Sequence, residues 1–182
     1  MTYIGNAFYS WQNVFRTLEV FKLIKSKLVE NSFLILLIKK NDHFIVNEFL
    51  HQLCIDSQWY LLKEVSHSEI LNYLNASDMG VALRHNHKMN KIASSGKVLD
   101  YLACGLPVLT TFWNGEDLPR LINNKKYGVV LKDMDDNQEV LHKIKEFVVF
   151  KTEKRAEISI WANENLSMEA FIEDYLLRLE TL

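Results

Sequence analysis

Short apolar runs alternate along the chain with segments in which hydrophobic residues recur every three or four positions. Continuous Val, Ile and Leu runs without polar alternation are typical of strands buried on both faces, as in parallel sheets covered by helices. These runs predict six strands, at 2–5, 33–39, 59–65, 79–84, 107–111 and 128–132.

The segments between the strands carry helical periodicity. They predict helices at about 13–29, 43–53, 67–75, 94–104, 116–123, 135–149, 153–164 and 167–180. Strand and helix alternate from the first strand to the last, and the chain closes with helices only. The pattern therefore predicts an α/β fold: an open parallel sheet of about six strands, with right-handed crossovers, helices on both faces and a helical C-terminus.

Two local signals support the predicted boundaries. Ser66 and Glu69 have the spacing of a capping box at a helix start. Gly105 follows a helix that would end at Cys104, where a left-handed residue is needed. No linker-like stretch or repeat interrupts the chain, so we expect a single domain over 1–182.

Composition and charge narrow the class of protein. A net charge of -2 and a pI near 6.3 argue against a nucleic-acid partner, which needs clustered Lys and Arg. Cys54 and Cys104 have no metal-binding or disulfide spacing. No apolar run reaches the length of a membrane span, and the N-terminus lacks the features of a signal peptide. These observations favour a cytoplasmic protein.

The stretch SSGKVLDYLACGLPVLTT at 94–111 is the main candidate for chemistry. A helix starting at Ser94, Ser95 or Gly96 exposes unpaired N–H groups at its positive end, which suits an anion, and Lys97 adds a charge. Asp100 shares a helix face with Lys97, and its carboxylate suits ribose hydroxyls. Without further information, ordinary caps and a solvated Lys-Asp pair are the more frequent explanation.

The order of motifs resembles the donor-binding signature of GT-B glycosyltransferases of the group 1, or family 4, type. SDMGVALR, then KVLDYLACGLPV and YGVVLKD follow one another as in that family. The weaker likeness of TYIGNAFYSW and NLSMEAFIEDY extends the resemblance to nearly all of the chain. It implies a Rossmann-like domain forming the C-terminal half of a GT-B fold, with the N-terminal acceptor domain absent.

The resemblance implies a nucleotide-sugar donor, with UDP, GDP or another base, and neither a cofactor nor a bound metal. It places the diphosphate at Ser94 to Lys97, the ribose at Asp100, and the base at the loop from Val65 to His67. Arg16, Lys39 and Lys40 are the candidates for neutralising the diphosphate. Separately from the resemblance, Arg84 projects from the carboxyl end of a strand, which suits a contact with sugar or phosphate, although a structural or solvent role is the more frequent explanation. The resemblance identifies no catalytic residue in this half.

The sequence also departs from the family pattern. Asp100 stands where the family has glutamate, and Ile92 stands eight residues earlier, where many members have another. The loop NAFYSWQN lacks the glycine and lysine often found there. His85 and His87 form an i, i+2 pair without a third ligand, which favours a surface loop over a metal site.

Three hypotheses follow for function. The first is the donor half of a glycosyltransferase acting on a glycan or lipid-linked acceptor in polysaccharide or glycoconjugate biosynthesis. Its acceptor half would be a separate polypeptide or a missing segment, and a partner domain would hold it at the inner face of the membrane. The second is a non-catalytic Rossmann-like module with a degenerate cleft, and a flavodoxin-like or epimerase-type domain is a third alternative.

Overall fold

The computed structural model describes residues 1–85, 87–88, 90, 96–112, 117–132, 135–148, 154–170 and 172. In this part of the chain six strands form one parallel sheet in the order β3-β2-β1-β4-β5-β6. The strands are β1 (Thr2–Gly5), β2 (Leu34–Ile38), β3 (Tyr60–Lys63), β4 (Gly80–Ala82), β5 (Val108–Thr111) and β6 (Gly128–Leu131). The predicted parallel sheet of about six strands is confirmed.

Helices cover both faces of this sheet. Apolar residues of α1, α2 and α6 pack on one face, and those of α3, α4, α5 and α7 pack on the other. The helices are α1 (Val14–Lys27), α2 (His43–Gln52), α3 (His67–Asn75), α4 (Gly96–Ala103), α5 (Asp117–Lys125), α6 (Asn137–Val148) and α7 (Arg155–Leu166). Most of the helix predicted at 167–180 lies outside the described residues. None of the helices described is long and apolar enough to cross a membrane.

Both local boundary signals are confirmed. The backbone N–H of Ser66 donates to the Glu69 carboxylate at 2.9 Å, which fixes the start of α3. Gly105 has φ of 71°, and its N–H donates to the Leu102 carbonyl at the end of α4. A Cβ at Gly105 would lie 2.3 Å from the Arg155 carbonyl oxygen, so this turn and the start of α7 depend on glycine.

The prediction of strand 79–84 was too long by three residues. β4 ends at Ala82 because its continuation bonds to a side chain instead of a neighbouring strand. The Arg84 backbone N–H donates to the Thr111 hydroxyl at 2.8 Å, and that hydroxyl donates to the Arg84 carbonyl at 2.9 Å. The chain therefore leaves the sheet at the carboxyl end of β4, where the loop to α4 begins.

The seam between β1 and β4 is closed by a side chain of α4. Only Thr2 and Tyr3 of β1 pair with β4. Beyond them the Tyr101 hydroxyl accepts from the Ile4 N–H at 3.0 Å and donates to the Val81 carbonyl at 3.2 Å. The buried Tyr101 ring lies over Gly80, where a Cβ would meet it at 2.2 Å. Tyr101 thereby fixes α4 against the centre of the sheet.

Candidate functional site

The carboxyl ends of β1 and β4 form the crevice at which the strand order reverses. The chain adds β2 and β3 on one side of β1, and β5 and β6 lie beyond β4 on the other side. In open α/β sheets such a reversal leaves a gap between diverging loops, where ligands bind. The loop after β1, the loop after β4 and the first turn of α4 meet here.

Lys97 lies across the end of β1 in this crevice. Its ammonium donates to the Gln12 side-chain oxygen at 2.5 Å and lies 5.1 Å from the centre of the Tyr3 ring. A Cβ at Gly5 would approach the Lys97 Nζ to 2.6 Å and the Tyr3 hydroxyl to 2.8 Å. Glycine at position 5 is therefore needed for the lysine to pass over the strand end.

Arg84 is the second cation of the crevice and is buried, with 7% of its surface exposed. One of its guanidinium N–H groups donates to the Asn90 side-chain oxygen at 3.3 Å. The Asn90 amide in turn donates to the carbonyls of His85 at 2.7 Å and Trp11 at 3.1 Å. These bonds connect the loop after β4 to the loop after β1, so the crevice has a fixed floor.

The electrostatics of the crevice favour an anion. Burial, and then the positive charge of Arg84, lower the pKa of Lys97 to about 7. In the described part of the chain Lys97 has no carboxylate partner, and its contacts are an amide oxygen and an aromatic ring. A bound phosphate would restore the charged form of the lysine.

The first turn of α4 is open to solvent. Gly96 is exposed, and a Cβ there would meet no atom within 4 Å. Among the residues that the structure describes, no side chain covers the helix N–H groups at this position. Ser94 and Ser95, the remaining predicted phosphate contacts, lie outside the described residues, as does Ile92.

Asp100 lies one turn further along α4 and is exposed. Its carboxylate does not pair with Lys97, as a solvated ion pair would require, because the lysine turns inward to Gln12. Partial desolvation raises the pKa of Asp100, while the charge of His67 lowers it. Asp100 is therefore close to the start of α3, and the half-buried Val65 is in the loop leading to that helix.

The predicted cations Arg16 and Lys39 take no part in the contacts described for Lys97 and Arg84. The Arg16 guanidinium donates to the Asp135 carbonyl at 3.0 Å and to Glu19 at 3.4 Å. It lines a groove of about 410 Å³ with Asn13, Phe15, Glu19, His85, Thr111, Leu131, Lys132 and Asp135. Lys39 is exposed after β2, at the start of a short 3-10 turn. Neither side chain contacts Lys97.

Three residues of the crevice were missed by sequence reasoning. Gln12 holds Lys97, and Asp42 accepts from the backbone N–H groups of Ala7 at 2.8 Å and Phe8 at 3.3 Å. The side-chain oxygen of Asn6 is buried and has no hydrogen-bond partner among the described residues. The sequence shows that all three residues follow a strand. It does not show the contacts of Gln12 and Asp42, which join residues more than thirty positions apart, or the unpaired oxygen of Asn6.

The histidines predicted to form a surface loop are both exposed. His87 stacks on Trp11, and a ring nitrogen of His85 lies 3.3 Å from the Asn13 amide. No group of three or more His, Cys, Asp or Glu side chains with the arrangement of a metal site is found among the residues that the structure describes.

These features define an open α/β domain with a cationic crevice at its switch point, the arrangement of a Rossmann-like half-domain. Residues 45–169, more than half of the chain, match the family described as "Glycosyl transferase-like". The chain belongs to this family, and the family indicated by the sequence signature is confirmed. No curated protein matches the chain significantly.

Solved structures share the fold. WaaG, a glycosyltransferase involved in lipopolysaccharide biosynthesis, aligns with TM-score 0.64 and 17% identity over 90% of this chain and 41% of its own. The C-terminal domain of the group 1 glycosyltransferase LpcC from Francisella tularensis aligns with TM-score 0.60 and 15% identity over 87% and 79%. A third, described as trehalose-6-phosphate from E. coli bound with UDP-2-fluoro glucose, aligns with TM-score 0.58 and 14% identity over 100% and 44%.

The share of each solved chain that aligns with this chain differs between whole enzymes and an isolated domain. This chain spans about two fifths of the WaaG chain and of the E. coli chain, but most of the isolated LpcC C-terminal domain. The fold is therefore the Rossmann-like half of a GT-B glycosyltransferase.

Proposed function

We propose that this chain is the nucleotide-sugar donor-binding half of a glycosyltransferase. The enzyme moves a sugar from a nucleotide diphosphate to a glycan or lipid-linked acceptor. The observation that carries the proposal is the position of Lys97 across the end of β1, where burial and then the charge of Arg84 lower its pKa to about 7. The surroundings of Lys97 thus disfavour its charged form, which a bound anion would restore.

The diphosphate is the anion that fits this position best. It would lie between the first turn of α4 at Gly96 and the ammonium of Lys97, where helix N–H groups and a lysine act together. Charge-assisted hydrogen bonds of this kind contribute about 1.5–3 kcal/mol each. On this proposal Gln12 holds Lys97 until the ligand replaces the amide oxygen as its partner.

The nucleoside would extend from the diphosphate along α4. Asp100 is one turn from Lys97, and its carboxylate would accept hydrogen bonds from the ribose hydroxyls. The base would then lie against the loop from Val65 to His67 at the start of α3. The charge of His67 acts on Asp100, which supports a short distance between the ribose and base positions.

The reaction transfers a glycosyl group. The bond between the anomeric carbon and the diphosphate oxygen breaks, and the diphosphate leaves with the electron pair. An acceptor hydroxyl oxygen forms the new bond to that carbon and loses its proton. Lys97, Arg84 and the start of α4 would stabilise the charge that develops on the departing diphosphate, which is electrostatic catalysis. We assign no residue of this chain as the proton acceptor.

The acceptor site and the attachment to a membrane would belong to the rest of the enzyme. A second half, on another polypeptide or another segment, would supply the acceptor site, and it is also the part that would hold the protein at the inner face of a membrane. WaaG, of similar fold, is described as involved in lipopolysaccharide biosynthesis, which supports a role in polysaccharide or glycoconjugate synthesis. We place that synthesis in the cytoplasm.

Titration calorimetry of the chain with UDP, GDP and their sugars tests donor binding. We expect saturable binding of at least one nucleotide, with roughly tenfold or greater weakening in Lys97→Met and Asp100→Ala, which each remove one polar contact. Lys22→Met is the matched control, because this exposed lysine of α1 donates to the Leu53 carbonyl at 2.7 Å instead.

The absence of binding at millimolar nucleotide would contradict a donor site and favour a non-catalytic module. Equal weakening by Lys22→Met and Lys97→Met would show that the lower affinity comes from the net charge of the protein and not from a contact in the crevice. Saturable binding that Asp100→Ala leaves unchanged would move the ribose away from α4.

A further inference from the structure

Asn6 has a side-chain oxygen that the fold buries without a partner. The residue directly follows β1, at the edge of the sheet where the crevice opens. As a whole it is half-buried, but its Oδ1 is buried and has no hydrogen-bond partner among the described residues. Burying a polar atom without a hydrogen bond destabilises a fold, and nearly all such atoms in native structures are paired. The oxygen therefore indicates a contact that the folded chain alone does not supply.

The conformation of the loop does not explain an asparagine at this position. Asparagine is common where the backbone needs a positive φ, but the φ of Asn6 is not positive. Asparagine also stabilises turns by accepting from nearby backbone N–H groups, which the Asn6 oxygen does not do. The backbone carbonyl of Asn6 does hold the loop, since it accepts from the Tyr3 hydroxyl at 3.1 Å. That bond would form with any side chain at position 6.

The side chain of Asn6 lies on the side of the sheet that α4 covers. Tyr3 and Ala7 pack into the apolar cluster of α1 and α2, whereas Ile4 packs into the cluster of α4. Side chains alternate along an extended chain, so positions 3 and 7 share one side of the sheet and positions 4 and 6 share the other. Asn6 is therefore on the same side as the first turn of α4, where we propose that the diphosphate binds.

Asn6 is also next to the lysine of the crevice. A Cβ at Gly5, the residue before it, would lie 2.6 Å from the Lys97 Nζ. The Tyr3 hydroxyl that bonds to the Asn6 backbone lies 3.4 Å from the Gln12 side-chain oxygen, and that oxygen accepts from Lys97. The unpaired amide thus belongs to the same group of residues as the proposed diphosphate contact.

The chemistry of the unpaired oxygen restricts the part of the donor that it can bind. An amide oxygen accepts hydrogen bonds and cannot donate them, and the same is true of the oxygens of an ionised diphosphate. The partner of Asn6 must therefore carry an O–H or N–H group. In a nucleotide sugar bound at Lys97, the ribose would extend along α4 to Asp100, and the sugar is at the other end of the diphosphate. The sugar hydroxyls are thus the O–H groups left for the end of β1.

We propose that Oδ1 of Asn6 accepts a hydrogen bond from a hydroxyl of the transferred sugar. Asn6 then selects the sugar-bearing donor over the free nucleotide, because the sugar pairs an oxygen that is otherwise buried without a partner. The inference rests on the proposed function, since it takes the diphosphate to lie at Lys97 and the start of α4.

Calorimetry of the full chain with free nucleotides and their sugars tests this contact. The probes are UDP with UDP-glucose and GDP with GDP-mannose, and the pair that binds more tightly is used. We expect Asn6→Ala to weaken the nucleotide sugar roughly three- to tenfold, the loss typical of one hydrogen bond, and the free nucleotide by less than about twofold. The urea midpoint should stay the same or rise, because the variant lacks the unpaired oxygen.

Asn47→Ala is the matched control, because Asn47 is an exposed asparagine on α2. It should leave the affinity for both ligands unchanged. Analogues of the nucleotide sugar with fluorine in place of one hydroxyl at a time then identify the partner, since fluorine cannot donate a hydrogen bond. The analogue that lacks the partner hydroxyl should bind the unchanged chain and Asn6→Ala equally, while the other analogues keep the difference.

Three results would overturn the sugar contact while the donor site stands. The first is equal weakening of free nucleotide and nucleotide sugar by Asn6→Ala, which would place the side chain at the diphosphate. The second is no change for either ligand, the result expected if the oxygen binds only water. The third is a lower urea midpoint in Asn6→Ala, which would make Asn6 a support of the loop. Failure of both nucleotides to bind the unchanged chain would contradict the donor site itself, and this contact with it.

Discussion

Lys97 is the residue at which structure and proposed function are most closely connected. Its side chain was expected to share a helix face with Asp100, yet it turns over Gly5 to reach Gln12 and the Tyr3 ring. The two members of the predicted pair therefore have separate tasks. Lys97 acts on the crevice floor, while Asp100 remains at the rim near His67.

Replacing Lys97 with methionine should make stability less dependent on pH. Folding lowers the pKa of Lys97 from about 10.5 to about 7, so between these values the unfolded chain binds more protons than the folded chain. The lysine's contribution to stability is thus complete above the unfolded value and is lost as the pH falls through about 7. We expect Lys97→Met to raise the free energy of unfolding, by roughly 1–3 kcal/mol more at about pH 6 than at about pH 9, with a correspondingly larger rise in Tm.

Thermal melts followed by circular dichroism at the two pH values measure this gain. Lys22→Met, at an exposed position, should show no such dependence on pH. A gain for Lys97→Met that is the same at both values would contradict the lowered pKa.

Binding of UDP should be accompanied by proton uptake. A diphosphate near Lys97 favours its charged form, so at about pH 8 the complex should take up close to one proton per site. Calorimetry in two buffers with different ionisation enthalpies measures that number directly. The uptake should disappear in Lys97→Met, and a value near zero for the unchanged chain would place the phosphates away from this lysine.

At the scale of elements, the sheet was predictable and the crevice contacts were not. The runs of β2, β4 and β5 are continuous because both faces of these strands are largely buried, whereas the edge strand β3 alternates half-buried and exposed residues. The capping box at Ser66 and the left-handed Gly105 were likewise predictable, since both depend on residues three or four positions apart. The contact of Lys97 with Gln12 joins residues 85 positions apart and leaves no local pattern.

Removing the hydroxyl of Tyr101 should weaken the seam between β1 and β4. Tyr101→Phe leaves the Ile4 N–H and the Val81 carbonyl without their bridge, at an expected cost of about 1–3 kcal/mol. Tyr127→Phe is the control, because that hydroxyl donates to the exposed Glu157 carboxylate, which water can solvate. Urea unfolding of both variants gives the comparison, and equal losses would argue against a special role of the seam.

Alanine at two glycines should change stability in opposite directions. Gly80 lies against Tyr101 of α4, and Gly96 is the first residue of α4. A Cβ at Gly80 would lie 2.2 Å from the Tyr101 ring, so Gly80→Ala should destabilise the fold by about 1–3 kcal/mol or more. Gly96 has open space around it, and Gly96→Ala should stabilise α4 by roughly 0.5–1 kcal/mol. Urea midpoints of the two proteins test the pair. Destabilisation by Gly96→Ala would mean that the start of α4 is more crowded than its surroundings indicate.

At the scale of the whole molecule, α7 connects the end of α3 to α4. The Arg155 guanidinium at the start of α7 donates to the Ser77 carbonyl at 2.9 Å and to the carbonyls of Leu74 and Asn75 at 3.3 Å. These carbonyls end α3, which leads into β4. Ile158 and Ala162 of α7 pack into the same apolar cluster as Tyr101. The helical C-terminus predicted from the sequence thus stabilises the helix that forms the site.

Replacing Arg155 should therefore lower global stability. Arg155→Ala removes a cation from the carbonyl end of α3, and we expect a loss of about 1–2 kcal/mol. Arg155→Lys should recover only part of it, because an ammonium cannot make the same fan of bonds. Urea unfolding measures the loss, and amide hydrogen exchange of β4 should accelerate with it. Full recovery by lysine would reduce the role of Arg155 to its charge.

The bridging hydroxyl of Tyr101 also makes β1 a remote sensor of ligands. Tyr101 belongs to α4, whose first turn is the proposed phosphate position, and it holds the Ile4 amide in the middle of the sheet. Any ligand that pulls α4 toward the crevice changes the length of that hydrogen bond. The chemical shift of the Ile4 amide should then report occupancy of a site that Ile4 itself does not contact.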